Sequence, residues 1–87
     1  MSVKLITYDL NAPGQNHTKV LEKIKTYTWA RLSESSYAVD TSETAATIYG
    51  KFKPLLDQSD DFLVISMTKP YAGRAHRDVI SWLDRRL

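Results

Sequence analysis

Thr28-Trp-Ala-Arg-Leu-Ser-Glu-Ser-Ser-Tyr-Ala-Val-Asp-Thr41 is the stretch on which the fold turns. Residues 28–35 alternate apolar with polar around Trp29 and Arg31, and Ser36 to Thr41 is a second β-prone run directly behind them. Two adjoining strands account for both runs. The alternative is that Trp29 closes the preceding helix and the second run alone is a strand. A hairpin here breaks what is otherwise a strand-helix alternation, and that break distinguishes an antiparallel sheet from a parallel one.

Upstream, Val3-Lys-Leu-Ile-Thr-Tyr-Asp-Leu10 alternates with β-branched and aromatic residues and reads as a central strand ending near Asp9. The cluster Asn11 to Asn16 follows, where Pro13 fixes φ and Gly14 permits positive φ, so a turn is expected. Val20, Leu21, Ile24 and Tyr27 then recur at helical spacing, with Asn16 or Thr18 available as N-cap. Downstream, Thr41 or Ser42 can cap a second helix whose apolar stripe is Ala45, Ile48, Tyr49, Phe52, Leu55 and Leu56. Gly50 inside it costs about 1 kcal/mol, and Pro54 loosens its last turn. After a break at Gln58 to Asp61, the run Phe62-Leu-Val-Ile-Ser-Met67 is too apolar to face water on both sides and reads as an interior strand. Beyond a Lys69-Pro70 turn, Val79, Trp82, Leu83 and Leu87 define one face of a terminal amphipathic helix. The expected architecture is α+β, a ferredoxin-like βαββαβ sandwich with an additional C-terminal helix, in which the first two helices cover one face of a four-stranded antiparallel sheet.

The chain has 87 residues, 43% hydrophobic and 25% charged, which are globular values and give one domain spanning residues 1–87. A domain of this size buries about 60 to 70% of its unfolded surface, so pairing with a second copy would add stability. There is no cysteine, which removes disulfides, thiolate zinc sites and a cysteine nucleophile together. The first residues carry apolar runs too short for a signal peptide or a membrane span, so a cytoplasmic setting without membrane contact is expected. The formal charge of +2 is small, but Lys69, Arg74, Arg77, Arg85 and Arg86 oppose only Asp78 and Asp84 in the last 19 residues.

No phosphate loop, dinucleotide glycine pattern, histidine pair at ligand spacing or aromatic RNA-binding segment is present. His17 and His76 each lie near a helix start and read as exposed polar residues. Asp9 closes an apolar strand, where a rigid backbone aims it at the sheet end. One such carboxylate per subunit is enough to hold magnesium or manganese if two subunits meet, since these ions are typically bound by one or two carboxylates plus substrate phosphates. The competing reading is an Asx turn, with Asp9 or Asn11 bonding the backbone of the loop. Tyr8, Trp29, Tyr37 and Tyr71 could stack on bases or fill a core or dimer interface. Arg74, Arg77, Arg85 and Arg86 could meet phosphates or form a solvated face.

Leu5-Ile-Thr-Tyr-Asp-Leu-Asn11, Ser35-Ser-Tyr-Ala-Val39 and Asp61-Phe-Leu-Val-Ile-Ser-Met67 together resemble the second CRISPR-associated protein and its relative, virulence-associated protein D. Tyr8-Asp-Leu-Asn-Ala-Pro-Gly14 and Tyr27-Thr-Trp-Ala-Arg-Leu-Ser-Glu-Ser-Ser-Tyr37 resemble more closely a group of short bacterial and phage proteins labelled SinR-like. The resemblance covers most of the chain. It implies a ferredoxin-like homodimer whose two first-strand aspartates, here Asp9, face each other and hold magnesium or manganese. It implies either metal-dependent cleavage of RNA or DNA, or a scaffold that bridges protein partners without catalysis. Tyr8, Asn11, Ser35 (or Ser36), Arg74 and Arg77 are then the candidate nucleic-acid contacts, with Ser35 or Ser36 near the metal by that match. Two departures stand out: residues 12–17 replace a basic stretch, and a terminal helix replaces the strand that pairs with the partner subunit.

Overall fold

The computed structural model describes residues 2–11 and 16–87, so the turn expected at Pro13 and Gly14 lies outside the described residues. Among the described residues, four strands and three α-helices follow the order β1 (Ser2–Asp9), α1 (His17–Ile24), β2 (Thr28–Ser33), β3 (Ser36–Thr41), α2 (Ala45–Phe52), β4 (Asp61–Met67) and α3 (Arg77–Arg86). A single 3-10 turn, Lys53–Leu55, continues α2 and contains Pro54, whose ring cannot continue the helical hydrogen-bond ladder. Trp29 lies inside β2 opposite Val39, so the central hairpin forms, and Glu34 and Ser35 make its turn.

The strands form one sheet in the order β2-β3-β1-β4, with every neighbouring pair antiparallel. The protein is therefore α+β with a four-stranded antiparallel sheet. β1 and β2 run parallel with β3 between them, and β3 and β4 run parallel with β1 between them. Each helical crossover thus skips one strand.

Strand alternation divides the apolar residues between two faces. Ile6, Tyr8, Tyr37, Val39 and Phe62 face α1 and α2, where Val20, Ile24, Ile48 and Phe52 close over them. Phe52 and Phe62 stack with centroids 5.1 Å apart. Lys4 shares this face and is buried along its stem, while its Nζ donates to Thr41 O at 2.9 Å and Ser2 Oγ at 2.7 Å. On the opposite face Leu83 of α3 packs on Val3 and Ala38, with Leu32, Met67, Val79 and Trp82 around it. Arg86 stacks on Trp82 at 4.4 Å, and its Nε lies 3.3 Å from Asp40 Oδ2, an ion pair without hydrogen-bond alignment.

Three expectations are corrected. α1 stops at Ile24, and Tyr27 instead sends its hydroxyl to Glu43 Oε1 at 2.6 Å. α2 is capped by Thr44, not Thr41 or Ser42, because Thr44 takes the extended backbone at the helix start and accepts from Thr47 N at 3.1 Å. Most consequentially, β4 is not an interior strand: it pairs with β1 on one side and forms an edge of the sheet, with Leu63 and Ile65 60% and 46% exposed. No helix among the described residues is long and apolar enough to cross a membrane.

Candidate functional site

β1 ends in Asp9 and β4 begins with Asp61, and the antiparallel register sets the two directly opposite each other. Both are exposed, and alternation places them with Leu63 on the face away from α1 and α2. Directly opposed side chains have Cβ atoms about 5 Å apart, and like charges so placed repel.

Local hydrogen bonds fix this juxtaposition. Asn11 N donates to Asp60 Oδ1 at 2.8 Å and Asn11 Nδ2 to Ser59 O at 2.6 Å, tying the exit of β1 to the entry of β4. Asp60 Oδ2 accepts from Asp57 N at 2.8 Å. Asp57 Oδ2 accepts from Ser59 Oγ at 2.7 Å and Ser59 N at 3.0 Å, which holds its carboxyl below the usual range. Asp57 and Asp60 are thus occupied in the turn. The carboxylates of Asp9 and Asp61 have no hydrogen bond or ion pair with another described residue. The Asx turn at this end is made by Asp57, whose Oδ2 accepts from Ser59 N, while Asn11 ties the exit of β1 to the turn before β4.

On the same face, one pleat repeat along β1, Thr7 Oγ1 and Ser36 Oγ share a hydrogen bond of 2.9 Å. Ser35 serves through its backbone, its carbonyl accepting from Tyr8 N at 3.0 Å. Asp9 and Asp61 supply carboxylate oxygens of the kind that hard divalent ions take, one or two to an ion. Among the described residues no cluster of three His, Cys, Asp or Glu is disposed to hold a metal alone.

Tyr8 is corrected from a surface contact to a core residue. It is 5% exposed, lies 6.1 Å from Phe62 in a stacked arrangement, and meets the His17 ring edge-on at 5.9 Å, which leaves no face for a base. Burial raises its pKa, Tyr37 adds to the rise and Arg31 opposes it. Tyr8 Oη and His17 Nε2 are both buried without a partner among the described residues. His76, by contrast, caps α3 through Nδ1, which accepts from Asp78 N at 3.1 Å.

Arg74 and Arg77 are exposed, on the β4-α3 loop and at the start of α3. They follow Met67, the end of β4 opposite to Asp61. There Lys69, Tyr71, Arg74, Ile80 and Asp84 line an open cavity of about 930 Å³. Tyr71 Oη donates to Asp84 Oδ1 at 2.6 Å, a bond that raises the phenol's pKa.

Asp61 is the candidate residue that sequence reasoning missed. Its signal was present, since pairing the first strand with the last sets their Asp termini side by side. No family model, curated protein or solved structure matches this chain.

Proposed function

We propose that this protein is a ferredoxin-like homodimer that cleaves RNA or DNA phosphodiesters with magnesium or manganese held by Asp9 and Asp61. The observation that carries this reading is the cross-strand pair of exposed carboxylates, each without a protein partner among the described residues. Opposed like charges cost stability unless a cation lies between them. The interleaved crossovers support the ferredoxin-like arrangement, and the resemblance to the small CRISPR-associated and SinR-like proteins points the same way.

In this reading Asp9 and Asp61 bind the ion, and the Thr7-Ser36 hydroxyl pair faces the substrate beside it. A bound divalent ion supplies charge neutralisation at the scissile phosphate and a water of lowered pKa. Asn11 acts indirectly, by fixing the two carboxylates in register.

Wild-type, Asp9→Asn and Asp61→Asn proteins, incubated with labelled single-stranded RNA and duplex DNA in manganese, magnesium or chelator, test the reading. Cleavage is expected only from the wild type with metal. Manganese should also raise the wild-type Tm and leave both variants unmoved, since a ligand stabilises only the state that binds it. Equal cleavage by either variant would refute the assignment.

A second reading, a dimer that binds nucleic acid or a protein partner without turnover, is favoured by the exposed basic segment. Here Arg74, Arg77 and Arg85 carry the affinity, because Arg86 is held by Trp82 and Asp40. Each phosphate contact removed should lower the salt slope by about one.

A further inference from the structure

The two edges of the sheet are built differently. β2 is interrupted by a register shift between Arg31 and Ser33 and carries the charged Arg31, both devices that discourage strand addition. β4 pairs with β1 through an unbroken register from Asp61 to Met67, with no proline, lysine or bulge. Of the four large hydrophobics that stand exposed among the described residues, Leu63 and Ile65 border this edge on one face, and Tyr49, 41% exposed and packed on Phe62, borders it on the other. The composition is that of a strand with neighbours on both sides, which is why the sequence alone reads as an interior strand.

The strand is also complementary to itself. Two antiparallel copies centred on Ile65 set Ile65 opposite Ile65, Leu63 opposite Met67 and Asp61 opposite Lys69. Centring on Val64 sets Asp61 against Met67, and centring on Leu63 sets it against Ile65, so charge selects the first register. Lys69 is exposed, and its described tie is a 3.3 Å contact from Nζ to Asp84 O.

We infer that β4 pairs with β4 of a second copy in this register, and that each resulting site joins the Asp9-Asp61 carboxylates of one subunit to the basic loop of the other. The contact turns two four-stranded sheets into one continuous sheet. It brings the partner's Lys69, followed by the loop that bears the partner's Arg74, to the acidic end, whereas within one chain Lys69 follows the opposite end of β4. The two Asp61 residues are then separated by eight strand positions, roughly 26 Å, so the dimer has two separate sites rather than one shared by facing aspartates. The role of the paired site rests on the proposed phosphodiesterase reading; the contact itself does not.

Three measurements test the contact without using cleavage. Sedimentation equilibrium should show a wild-type dimer, and Ile65→Lys should weaken it at least about thirtyfold with the β-sheet circular dichroism retained. Asp61→Lys and Lys69→Asp should each weaken association, and the double variant should restore it. Because the chain has no cysteine, Ile65→Cys introduces a single thiol, which a short bis-maleimide should join to its copy more readily than in Leu63→Cys. A monomeric wild type, an unweakened Ile65→Lys dimer, failed rescue by the charge swap, or preferential joining at residue 63 would each overturn it. An intact dimer with no cleavage would reject the phosphodiesterase and keep the contact, while full cleavage by monomeric Ile65→Lys would reject the shared site.

Discussion

Tyr8 carries a hydroxyl that is buried and has no hydrogen-bond partner among the described residues, next to His17 Nε2 in the same condition. The ring fills the core, and an oxygen stripped of water without replacement costs about 1 to 3 kcal/mol. Tyr8→Phe is therefore expected to leave stability unchanged or raise it by about 1 kcal/mol in urea unfolding, and a loss of that size would show that the hydroxyl has a partner in solution. Thr44 gives the opposite case, because its side chain satisfies Thr47 N: Thr44→Ala should cost about 1 kcal/mol by the same assay, and Ser42→Ala close to nothing. Residue-level detail of this kind was only partly legible in the sequence. Thr41, Ser42 and Thr44 are all chemically able to cap, and the choice is made by backbone angles that no composition records. Asp9 stood out as a candidate because it closes an apolar strand. Asp61 was hidden, since its significance lies in register.

Elements were more legible than residues, because periodicity reports burial and burial is what forms them. Each strand found from alternation is present, and α3 buries the face expected of it. What periodicity could not give was position within the sheet. An apolar strand reads the same whether its neighbour belongs to its own chain or another, so β4 was placed inside a sheet whose edge it forms in one chain. Two leucines on one sheet face separate these cases. Leu83 is buried against Val3 and Ala38, and Leu83→Ala should cost about 2 to 5 kcal/mol at any protein concentration. Leu63 is mostly exposed in the single chain, so Leu63→Ala should fall within about 0.5 kcal/mol when dilute and destabilise only where subunits associate. Equal costs at high dilution would mean that β4 is covered from within its own chain.

For the whole molecule, a small core leaves little stability in reserve, and the polar ties between elements become significant. Glu43, just after β3, is one such tie: it pairs with Lys51 of α2, accepts from Tyr27 beyond α1 at 2.6 Å, and feels Lys4 of β1. The hydrogen bond from Lys51, and then that from Tyr27, hold its carboxyl below the ordinary 4.5. The same carboxylate, with burial acting first, pushes the Tyr27 phenol well above 10, so the phenol remains a donor across the neutral range. Because the folded pKa of Glu43 is lowered, the unfolded chain takes up its proton first as pH falls. The stabilisation is thus complete above pH 4.5 and is lost as pH drops through the lower folded value. Glu43→Gln should be less stable than wild type at pH 7, and the gap should narrow steadily below pH 4.5 as the wild type loses what the variant already lacks. Thermal unfolding of Ile65→Lys and its Glu43→Gln derivative from pH 7 to 3 keeps association out of the measurement. A gap that stays constant over that range would place the effect of Glu43 in packing rather than in its charge.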